Sequence, residues 1–435
     1  MMLIQFIVVL VFIFIGARLG SLGIGLAGGA GIVVLALMGV PVDPTTGIPW
    51  DVLGIITAVI MCIAALQTAG GLDLLVSVTE RILRSNPKRI NYYAPIVTYF
   101  MTVFCGTGHV AFSSLPVIAE VAKETGIRPS RPLSISVVAS QVAIAASPIS
   151  AAMIAMLAAV EPLGVEFHQL LIVAIPVTFI GCMVGAFVAS KLGCELEDDP
   201  IYQERLAAGL VKMRGETQYN IKKGAKPALW IFAVSLILVI GYSLAIAPSL
   251  GLVEEPPMPR NAAIMVFMMA AGLLIVLFCG AKPAEISNES TFRGGMSAVA
   301  CILGVAWLGN TFVNAHIDTI KAFGGGIIEG QPWLLAVVLF FASALLYSQA
   351  ATTATLMPVA VSMGVASTTM VAAFPAVTGL YLLPTYPTTV AAIEMDDTGT
   401  TRIGKYVFNH PFIIPGLVSV VVAVGLGFIL APIVL

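Results

Sequence analysis

Charged residues are scarce in this sequence. Of its 435 residues only 10% are charged, whereas 59% are hydrophobic. A soluble globular chain carries about 25% charged residues, because its surface faces water. The scarcity therefore excludes an ordinary water-soluble fold, and nothing in the composition favours a nucleic-acid partner.

The sequence also lacks the motifs of an intramembrane enzyme or a metal site. It contains no HExxH zinc motif and no evident nucleophile with a matched base. Its cysteines lack the paired spacings of a metal site or a disulfide framework, so we expect them to pack in the core. We predict no catalytic residue, no metal and no cofactor. The cysteines are Cys62, Cys105, Cys182, Cys194, Cys279 and Cys301.

Long apolar segments recur along the whole chain. About 20 apolar residues cross a hydrocarbon core of roughly 30 Å, and no long soluble domain separates the segments. The first 40 residues lack the basic start and cleavage site of a secretory signal and predict two spans joined near Arg18. We predict an all-α polytopic membrane protein. The segments after Arg18 are approximately 20–40, 51–69, 91–122, 132–160, 168–190, 228–247, 261–280, 295–313, 332–363, 367–394 and 407–433.

Two segments, 91–122 and 332–363, are too long for one crossing, and each has a polar cluster and a proline past its middle. If both are re-entrant hairpins and every other segment crosses once, 19 of the 21 basic residues lie on one side, leaving Arg260 and Lys321 on the other. Because basic residues favour the cytoplasmic side, we predict that both termini lie outside the cytoplasm, which is the periplasm if the membrane is a bacterial inner membrane.

Four polar clusters indicate an internal repeat. They read CGTGHVAFSSLPV from Cys105, AASPISAAM from Ala145, YSQAATTATLMPV from Tyr347 and LPTYPTTVAAI from Leu383. Since an odd number of crossings separates matched clusters, the second half is predicted to be inverted, which is typical of secondary transporters. The predicted units are residues 1–190 (hairpin 91–122, broken helix 132–160), a solvated cytoplasmic connector at 191–227, and residues 228–435 (hairpin 332–363, broken helix 367–394).

The clusters have the residue types of helix starts at membrane depth. Non-helical backbone persists there only where protein or a water-filled cavity surrounds it. Ser147 before Pro148 has the pattern of a hydroxyl cap followed by a proline, and residues 385–387 repeat it less strictly. Ser113 and Ser114 before Pro116 could open the returning arm of the first hairpin. Thr353 and Thr355 before Pro358 could open that of the second.

Four helix N-termini that met in one cavity would offer about +2 of charge, although no Lys or Arg lies within any cluster. A dicarboxylate dianion is the complementary ligand. The candidate substrate-binding residues are Gly106, Thr107, Gly108, His109, Ser113, Ser114, Ser147, Pro148, Ser150, Ser348, Gln349, Thr352, Thr353, Thr385, Tyr386, Pro387 and Thr388.

Each candidate also has a plain structural explanation. Ser and Thr in membrane helices often bond the preceding turn, glycines serve close packing, and His109 could be a packed or capping residue. The acidic residues Glu120, Glu394, Asp396 and Asp397 are expected to pair with nearby basic residues rather than to carry protons.

Six strings resemble one family from end to end: GARLGSLGIGLAGG from Gly16, LPVIAEVAKETGIRPSRPLS from Leu115, SPISAA from Ser147, DDPIYQERLAAGLVKMRGE from Asp198, SALLYSQAATTATLMP from Ser343 and LPTYPTTVAAIEMDDTGTTRIGKYVFNHPFIIPG from Leu383. The sequence resembles the anaerobic C4-dicarboxylate (Dcu) carriers, nearer their A branch than their B branch. The resemblance implies uptake of fumarate, malate or aspartate in exchange for succinate during anaerobic fumarate respiration.

Sodium-coupled dicarboxylate relatives have a Ser-Asn-Thr motif at each hairpin tip, and both asparagines are missing here, where the tips read GTGHVAFSS and SQAATTAT. Exchange of one dianion for another needs no coupling ion such as sodium. The alternative is a proton- or sodium-coupled symporter of another small organic or inorganic anion. Homodimer formation stays open, and a sensor protein could dock on the cytoplasmic connector.

Replacing Ser147 or Thr353 by a bulky apolar residue is expected to abolish uptake without abolishing membrane insertion, because both positions lie in predicted binding clusters. Uptake into cells, normalised to the amount of inserted protein, measures this. Unchanged transport by both variants would contradict the predicted site.

Overall fold

The computed structural model describes residues 1–19, 22–211, 221–250, 252–253, 255–346, 348–384, 386–406 and 408–435. The side chains of residues 17, 18, 113, 290, 298, 317, 318 and 320–330 also lie outside the description. Within the described residues the regular structure is entirely helical. The predicted all-α class is confirmed.

Twenty α-helices follow one another along the described chain. They are α1 (Met2–Leu19), α2 (Leu22–Leu37), α3 (Pro44–Gly47), α4 (Trp50–Thr68), α5 (Gly71–Ser85), α6 (Ile90–Cys105), α7 (Ala111–Glu124), α8 (Ser130–Val142), α9 (Ala151–Val160), α10 (Phe167–Ala189), α11 (Pro200–Ala207), α12 (Ala225–Ala245), α13 (Arg260–Cys279), α14 (Pro283–Ile286), α15 (Ser290–Gly330), α16 (Leu334–Leu346), α17 (Gln349–Ser362), α18 (Ser367–Ala373), α19 (Pro387–Met395) and α20 (Ile413–Val434). Short 3₁₀ turns lie at Pro87–Arg89, Gly108–Val110, Ala143–Ala146, Glu161–Leu163 and Phe374–Leu382.

Seven helical segments of the described chain are long and apolar enough to cross a membrane. An eighth is a pair bent by 50°, formed by Ser367–Leu382 and Pro387–Met395, while α1 and α2 are apolar but shorter. Every segment predicted to cross once therefore coincides with a helix or a broken helix. The chain is a multi-span membrane protein.

Two boundaries differ from the sequence prediction, and one helix was not predicted. The segment predicted at 295–313 belongs to the 41-residue helix α15, which has a kink at His316. The segment predicted from 407 begins at Ile413, because Pro411 interrupts helical hydrogen bonding just before it. Helix α5 was missed because polar residues fill one of its faces, so its mean hydropathy stays low.

Helices α6 and α7 are joined by a tight turn, and their outer ends lie close together. Gly106 ends α6 with φ 67°, in the left-handed region that glycine favours. The Arg84 guanidinium lies just before α6 and binds the carboxylate of Glu124, the last residue of α7, at 2.7 Å. The end of α7 is thus next to the start of α6, as a re-entrant segment requires.

The helices pack as two bundles. Helices α1, α2, α4, α12, α13 and α15 contact one another and form bundle 1. Helices α6–α10 pack together and join α16–α20, mainly through α10 on α20, to form bundle 2. The two bundles meet where α15 packs on α17 and α4 packs on α9, and α5 contacts both. The four polar clusters all belong to bundle 2.

The first part of the predicted connector is mostly exposed, but it is not a plain loop. Residues 191–211 include helix α11, and Asp199 at its N-cap is 1% exposed. This carboxylate binds the guanidinium groups of Arg128 at 2.5 Å and Arg402 at 3.5 Å. The connector is therefore fixed to bundle 2 at two separate loops. The predicted connector residues 212–220 lie outside the described chain.

The pKa of Asp199 reflects this environment. Burial alone would raise it, but the backbone N–H of Tyr202 and the charges of Arg128 and Arg402 outweigh burial and lower the pKa. Stability that depends on a depressed carboxylate pKa is present above the unfolded-state pKa and is lost as pH falls through the folded-state pKa. These ion pairs therefore persist at neutral pH.

Small residues let helices α2 and α15 cross at backbone contact. A Cβ at Gly28 would overlap the backbone of Gly304, and one at Gly25 would overlap the Ala300 carbonyl. Glycine at helix crossings permits such close packing in membranes. The neighbouring Gly29 faces open space.

Gly28→Val is expected to lower the melting temperature of the detergent-purified protein, because overpacking a helix contact costs about 1–3 kcal/mol. Gly29→Val is the matched control, since its side chain has room and both variants have the same change in helix propensity. Equal melting temperatures for the two variants would contradict the described α2–α15 contact.

Candidate functional site

A helix N-terminus lies in each of the four polar clusters. Helices α7, α9, α17 and α19 begin at Ala111, Ala151, Gln349 and Pro387, and a 3₁₀ turn precedes α7. A helix start has N–H groups without intrahelical partners and carries about half a positive charge. Three contacts, described next, bring these ends together.

The side chain of Gln141 joins three of the elements. This residue of α8 is fully buried, and its Nε2 donates to Thr388 Oγ1 at 3.2 Å. Its Oε1 accepts from Gln349 Nε2 at 3.2 Å, and the Gln141 carbonyl accepts from the same Nε2 at 3.1 Å. The break in the first half is thereby hydrogen-bonded to the starts of α17 and α19 in the second half.

The tip of the first hairpin touches the same place through two glycines. A Cβ at Gly108 would lie 2.8 Å from Gln141 Nε2 and 3.0 Å from the Ser140 carbonyl oxygen. A Cβ at Gly106 would lie 3.1 Å from Ile149. Only glycine allows this approach, so the hairpin tip, the α8–α9 break and the starts of α17 and α19 form one site.

Sequence analysis missed Gln141. The sequence did contain a signal, since this is an amide within an apolar segment, six residues before the predicted helix start at Ser147. A buried amide needs hydrogen-bond partners. Its partners are 208 and 247 residues away along the chain, so one sequence could not identify them.

The cap of α9 is not the predicted one. Ser150, rather than Ser147, occupies the N-cap, and its Oγ accepts from the Met153 N–H at 3.1 Å. Pro148 lies in a tight turn closed by the bond from Ser150 N–H to the Ser147 carbonyl, at a turn position that proline favours. Ser147 Oγ instead donates to the Val103 carbonyl at 2.7 Å, fixing the break to α6.

Helix α17 opens earlier than predicted. Ser348 is its N-cap, and Ser348 Oγ accepts from the Ala351 N–H at 3.1 Å. Thr353 lies inside the first turns and donates to the Gln349 carbonyl at 2.8 Å, and Thr352 donates to the Ser348 carbonyl at 2.8 Å. Thr353 and Thr355 therefore do not open the helix, and Pro358 lies within it.

Helices α7 and α19 fit the prediction in different degrees. Pro387 is the first residue of α19, as predicted, and Tyr386 precedes it as N-cap. Helix α7 starts before the predicted serines: Ser114 lies in its first turn and donates to the Ala111 carbonyl at 3.0 Å. The side chain of Ser113 and the whole of Thr385 lie outside the described residues.

Most of the described hydroxyls at the site donate to backbone carbonyls of the protein. Backbone N–H groups of the first helical turns remain as donors for an anion, and the side-chain amides of Gln141 and Gln349 could reorient toward one. The hydroxyls in question belong to Ser114, Ser147, Ser150, Thr352, Thr353 and Thr389.

His109 lies at an accessible edge of the site. Its imidazole is exposed, stacks on Phe112 at 5.7 Å and Tyr386 at 6.4 Å between ring centroids, and lies 3.1 Å from Thr107 Oγ1 through Nδ1. A Cβ at Gly294 of α15 would lie 4.0 Å from that Nδ1. His109 is thus at the boundary between the two bundles.

The acidic residues after the site are paired, largely as expected. The Lys123 ammonium binds Glu120 at 2.9 Å and Asp397 at 3.0 Å. Asp396 accepts from the hydroxyls of Thr398 and Thr400 and from backbone N–H groups. These carboxylates fix the ends of α7 and α19 outside the site.

Comparison with known proteins agrees with this description. The model of the anaerobic C4-dicarboxylate membrane transporter family matches residues 1–435. This chain belongs to that family. The C4-dicarboxylate transporter DcuA of Wolinella succinogenes is 55% identical over all of both chains, and that of Escherichia coli is 54% identical over 99% of each. The anaerobic C4-dicarboxylate transporter DcuB of Escherichia coli is 37% identical over 98% of each.

Solved structures show the same fold at low identity. The YdaH transporter of Alcanivorax borkumensis matches with TM-score 0.57 and 13% identity, covering 88% of this chain and 85% of its own. MtrF of Neisseria gonorrhoeae matches with TM-score 0.59 and 15% identity, covering 89% and 83%. Membership of the anaerobic C4-dicarboxylate family and these neighbours make the chain a membrane transporter rather than an enzyme.

Gln141→Leu is expected to reduce uptake at least about tenfold, because it removes the side-chain hydrogen bonds to Thr388 and from Gln349, and a buried polar group that loses its partner costs about 1–3 kcal/mol. Gln203→Leu, which removes an exposed amide on the connector, is the control and should not change uptake. The measurement is the initial uptake rate in liposomes at equal protein content. A wild-type rate for Gln141→Leu would refute the central role of this amide.

Proposed function

We propose that this protein exchanges C4-dicarboxylates across the bacterial inner membrane. It takes up fumarate, malate or aspartate and releases succinate, which supports anaerobic fumarate respiration. The observation that carries the proposal is that Gln141 hydrogen-bonds the starts of α17 and α19 and lies against the turn before α7, with no Lys or Arg in any of the four clusters.

Charge supports a doubly negative substrate. Four helix starts provide about +2 before screening, which balances a dianion but not a single carboxylate or a trianion. Helix dipoles also do not titrate, whereas lysine and histidine side chains lose their positive charge as pH rises. When fumarate or malate replaces succinate, one dianion replaces another and the site returns to the same electrostatic state, whereas aspartate adds an ammonium group to its two carboxylates.

The two halves supply donors to opposite ends of the substrate in this proposal. The first turns of α9 and of α17 offer backbone N–H groups beside Ser150 and Ser348, and α19 offers that of Thr388. Gln349 Nε2 now binds Gln141 and could turn to a carboxylate instead. The candidate residues Gly106, Gly108 and Pro387 shape the backbone rather than bind through side chains.

Proton or sodium coupling is the second candidate function. The absence of asparagine from both tip sequences, GTGHVAFSS and SQAATTAT, argues against sodium coupling. The residue that favours a proton is His109, whose imidazole lies at the edge of the site beside Thr107 and Tyr386. A coupled carrier would accumulate substrate without a counter-substrate.

The proposal includes an orientation. Residues 1–190 and 228–435 form inverted repeats in it, and both termini are periplasmic, which leaves 19 of the 21 basic residues on the cytoplasmic side. The connector, fixed through Asp199, offers a cytoplasmic surface on which a sensor protein could dock. A homodimer is compatible with the exposed apolar faces of α1, α2 and α20.

Liposomes loaded with succinate are expected to take up labelled fumarate or aspartate, while empty liposomes do not, since the site exchanges one dianion for another. Uptake should be the same with and without a sodium gradient. Competition by unlabelled acids of four, five and six carbons gives the substrate class.

Two outcomes would contradict the proposal. Sodium-driven uptake into empty liposomes would make the protein a symporter. A clear preference for citrate or an inorganic anion would remove C4-dicarboxylates as the substrate.

A further inference from the structure

Helix α5 has a buried face and an exposed face, and the exposed face has apolar residues along one edge and a charged residue along the other. Val76, Thr79 and Leu83 are buried against the protein. On the other side Val78 and Ile82, one helical turn apart, are 42% and 41% exposed. Arg81 is exposed next to them. An exposed face with an apolar edge and a charged edge is typical of a helix at a membrane surface.

The position of α5 agrees with such a surface. It follows α4, which is a spanning helix ending at Thr68, and precedes α6. The Lys222 ammonium donates to the Thr68 carbonyl at 2.9 Å, so α5 lies on the face that carries the connector. The helix therefore starts where a spanning segment leaves the hydrocarbon.

Three basic side chains near α5 have no ion-pair partner among the described residues: Arg81, Lys88 and Arg89. All three are exposed, and Lys88 and Arg89 lie in the 3₁₀ turn that links α5 to α6. Arg84 differs, because Glu80 and Glu124 bind it. The exposed acid on α5 is Asp73, two turns before Arg81. Positive charge thus predominates at the C-terminal end of α5.

We propose that α5 and the turn Pro87–Arg89 bind the headgroup of an anionic phospholipid of the surrounding leaflet. Arg81, Lys88 and Arg89 contact the phosphate, and Val78 and Ile82 lie among the upper parts of the acyl chains. Basic side chains at an apolar boundary attract anionic lipid by this combination of charge and buried apolar area.

Bound lipid would act at the contact between the two bundles. Helix α5 packs on α4 and α12 of bundle 1 and on α6 and α7 of bundle 2. A headgroup held at its C-terminal end therefore stabilises one arrangement of the two bundles. The proposal is independent of the transported substrate, because no residue of the candidate site takes part.

The test uses the full-length protein in detergent and in nanodiscs. In detergent, native mass spectrometry counts how many phosphatidylglycerol and how many phosphatidylcholine molecules the protein retains. In nanodiscs, spin-labelled lipids measure the preference of the protein for phosphatidylglycerol over phosphatidylcholine. The triple variant Arg81→Gln, Lys88→Gln, Arg89→Gln is compared with Lys282→Gln. Lys282 is also exposed on the connector face but pairs with Glu285.

The triple variant is expected to lose at least about tenfold of the phosphatidylglycerol preference, with the wild-type melting temperature in detergent, because all three side chains are exposed. Lys282→Gln should keep the preference, and free inorganic phosphate should not displace the lipid. Unchanged lipid preference in the triple variant, or displacement by inorganic phosphate, would overturn the proposal. Val78→Ser with Ile82→Ser gives a second check, since it should weaken retention without changing charge.

Discussion

Backbone groups that lose their helical partners in the middle of a membrane must find other partners, and this constraint shapes the candidate site. The break between α8 and α9 lies in the middle of the 34-residue span Ser130–Leu163. Ser150 caps the new helix there, Ser147 bonds across to α6, and Gln141 reaches into the second half. The breaks before α9, α17 and α19 are each stabilised by a hydrogen bond to a different element.

The same constraint explains why the site can attract an anion without basic residues. Caps satisfy part of each helix start, as Ser348 does for the Ala351 N–H, while other first-turn N–H groups have no intrahelical partner. The amides of Gln141 and Gln349 link those starts across the halves. A lysine there would bind anions more strongly but would release them less readily, whereas exchange requires both steps.

Much of the fold could be predicted, because lipid-facing helices leave a hydropathy pattern that needs no tertiary information. Apolar length located the crossings, and the prolines and glycines located the breaks: Pro387 is the first residue of α19 and Gly106 turns the first hairpin. Local sequence did not decide between Ser147 and Ser150 as the cap of α9, since both are followed by suitable residues and packing against Val103 selects one.

Long-range polar contacts could not be predicted. Gln141 and its partners, and Asp199 with Arg128 and Arg402, join residues that are far apart in the sequence. Helix α5 was not predicted for another reason. A short amphipathic helix has neither the length nor the uniform apolar character of a membrane-spanning helix. The residues that connect the two halves are therefore the hardest to identify from a single sequence.

The central claim is that helix N-termini around Gln141 and Gln349 hold the substrate. Crystals soaked in bromosuccinate would test it directly, since anomalous scattering locates the bromine without interpretation of weak density. We expect an anomalous peak among the starts of α9, α17 and α19, reduced by added fumarate and missing in Gln141→Leu. A fumarate-sensitive peak beside a lysine or arginine outside the four clusters would contradict the account.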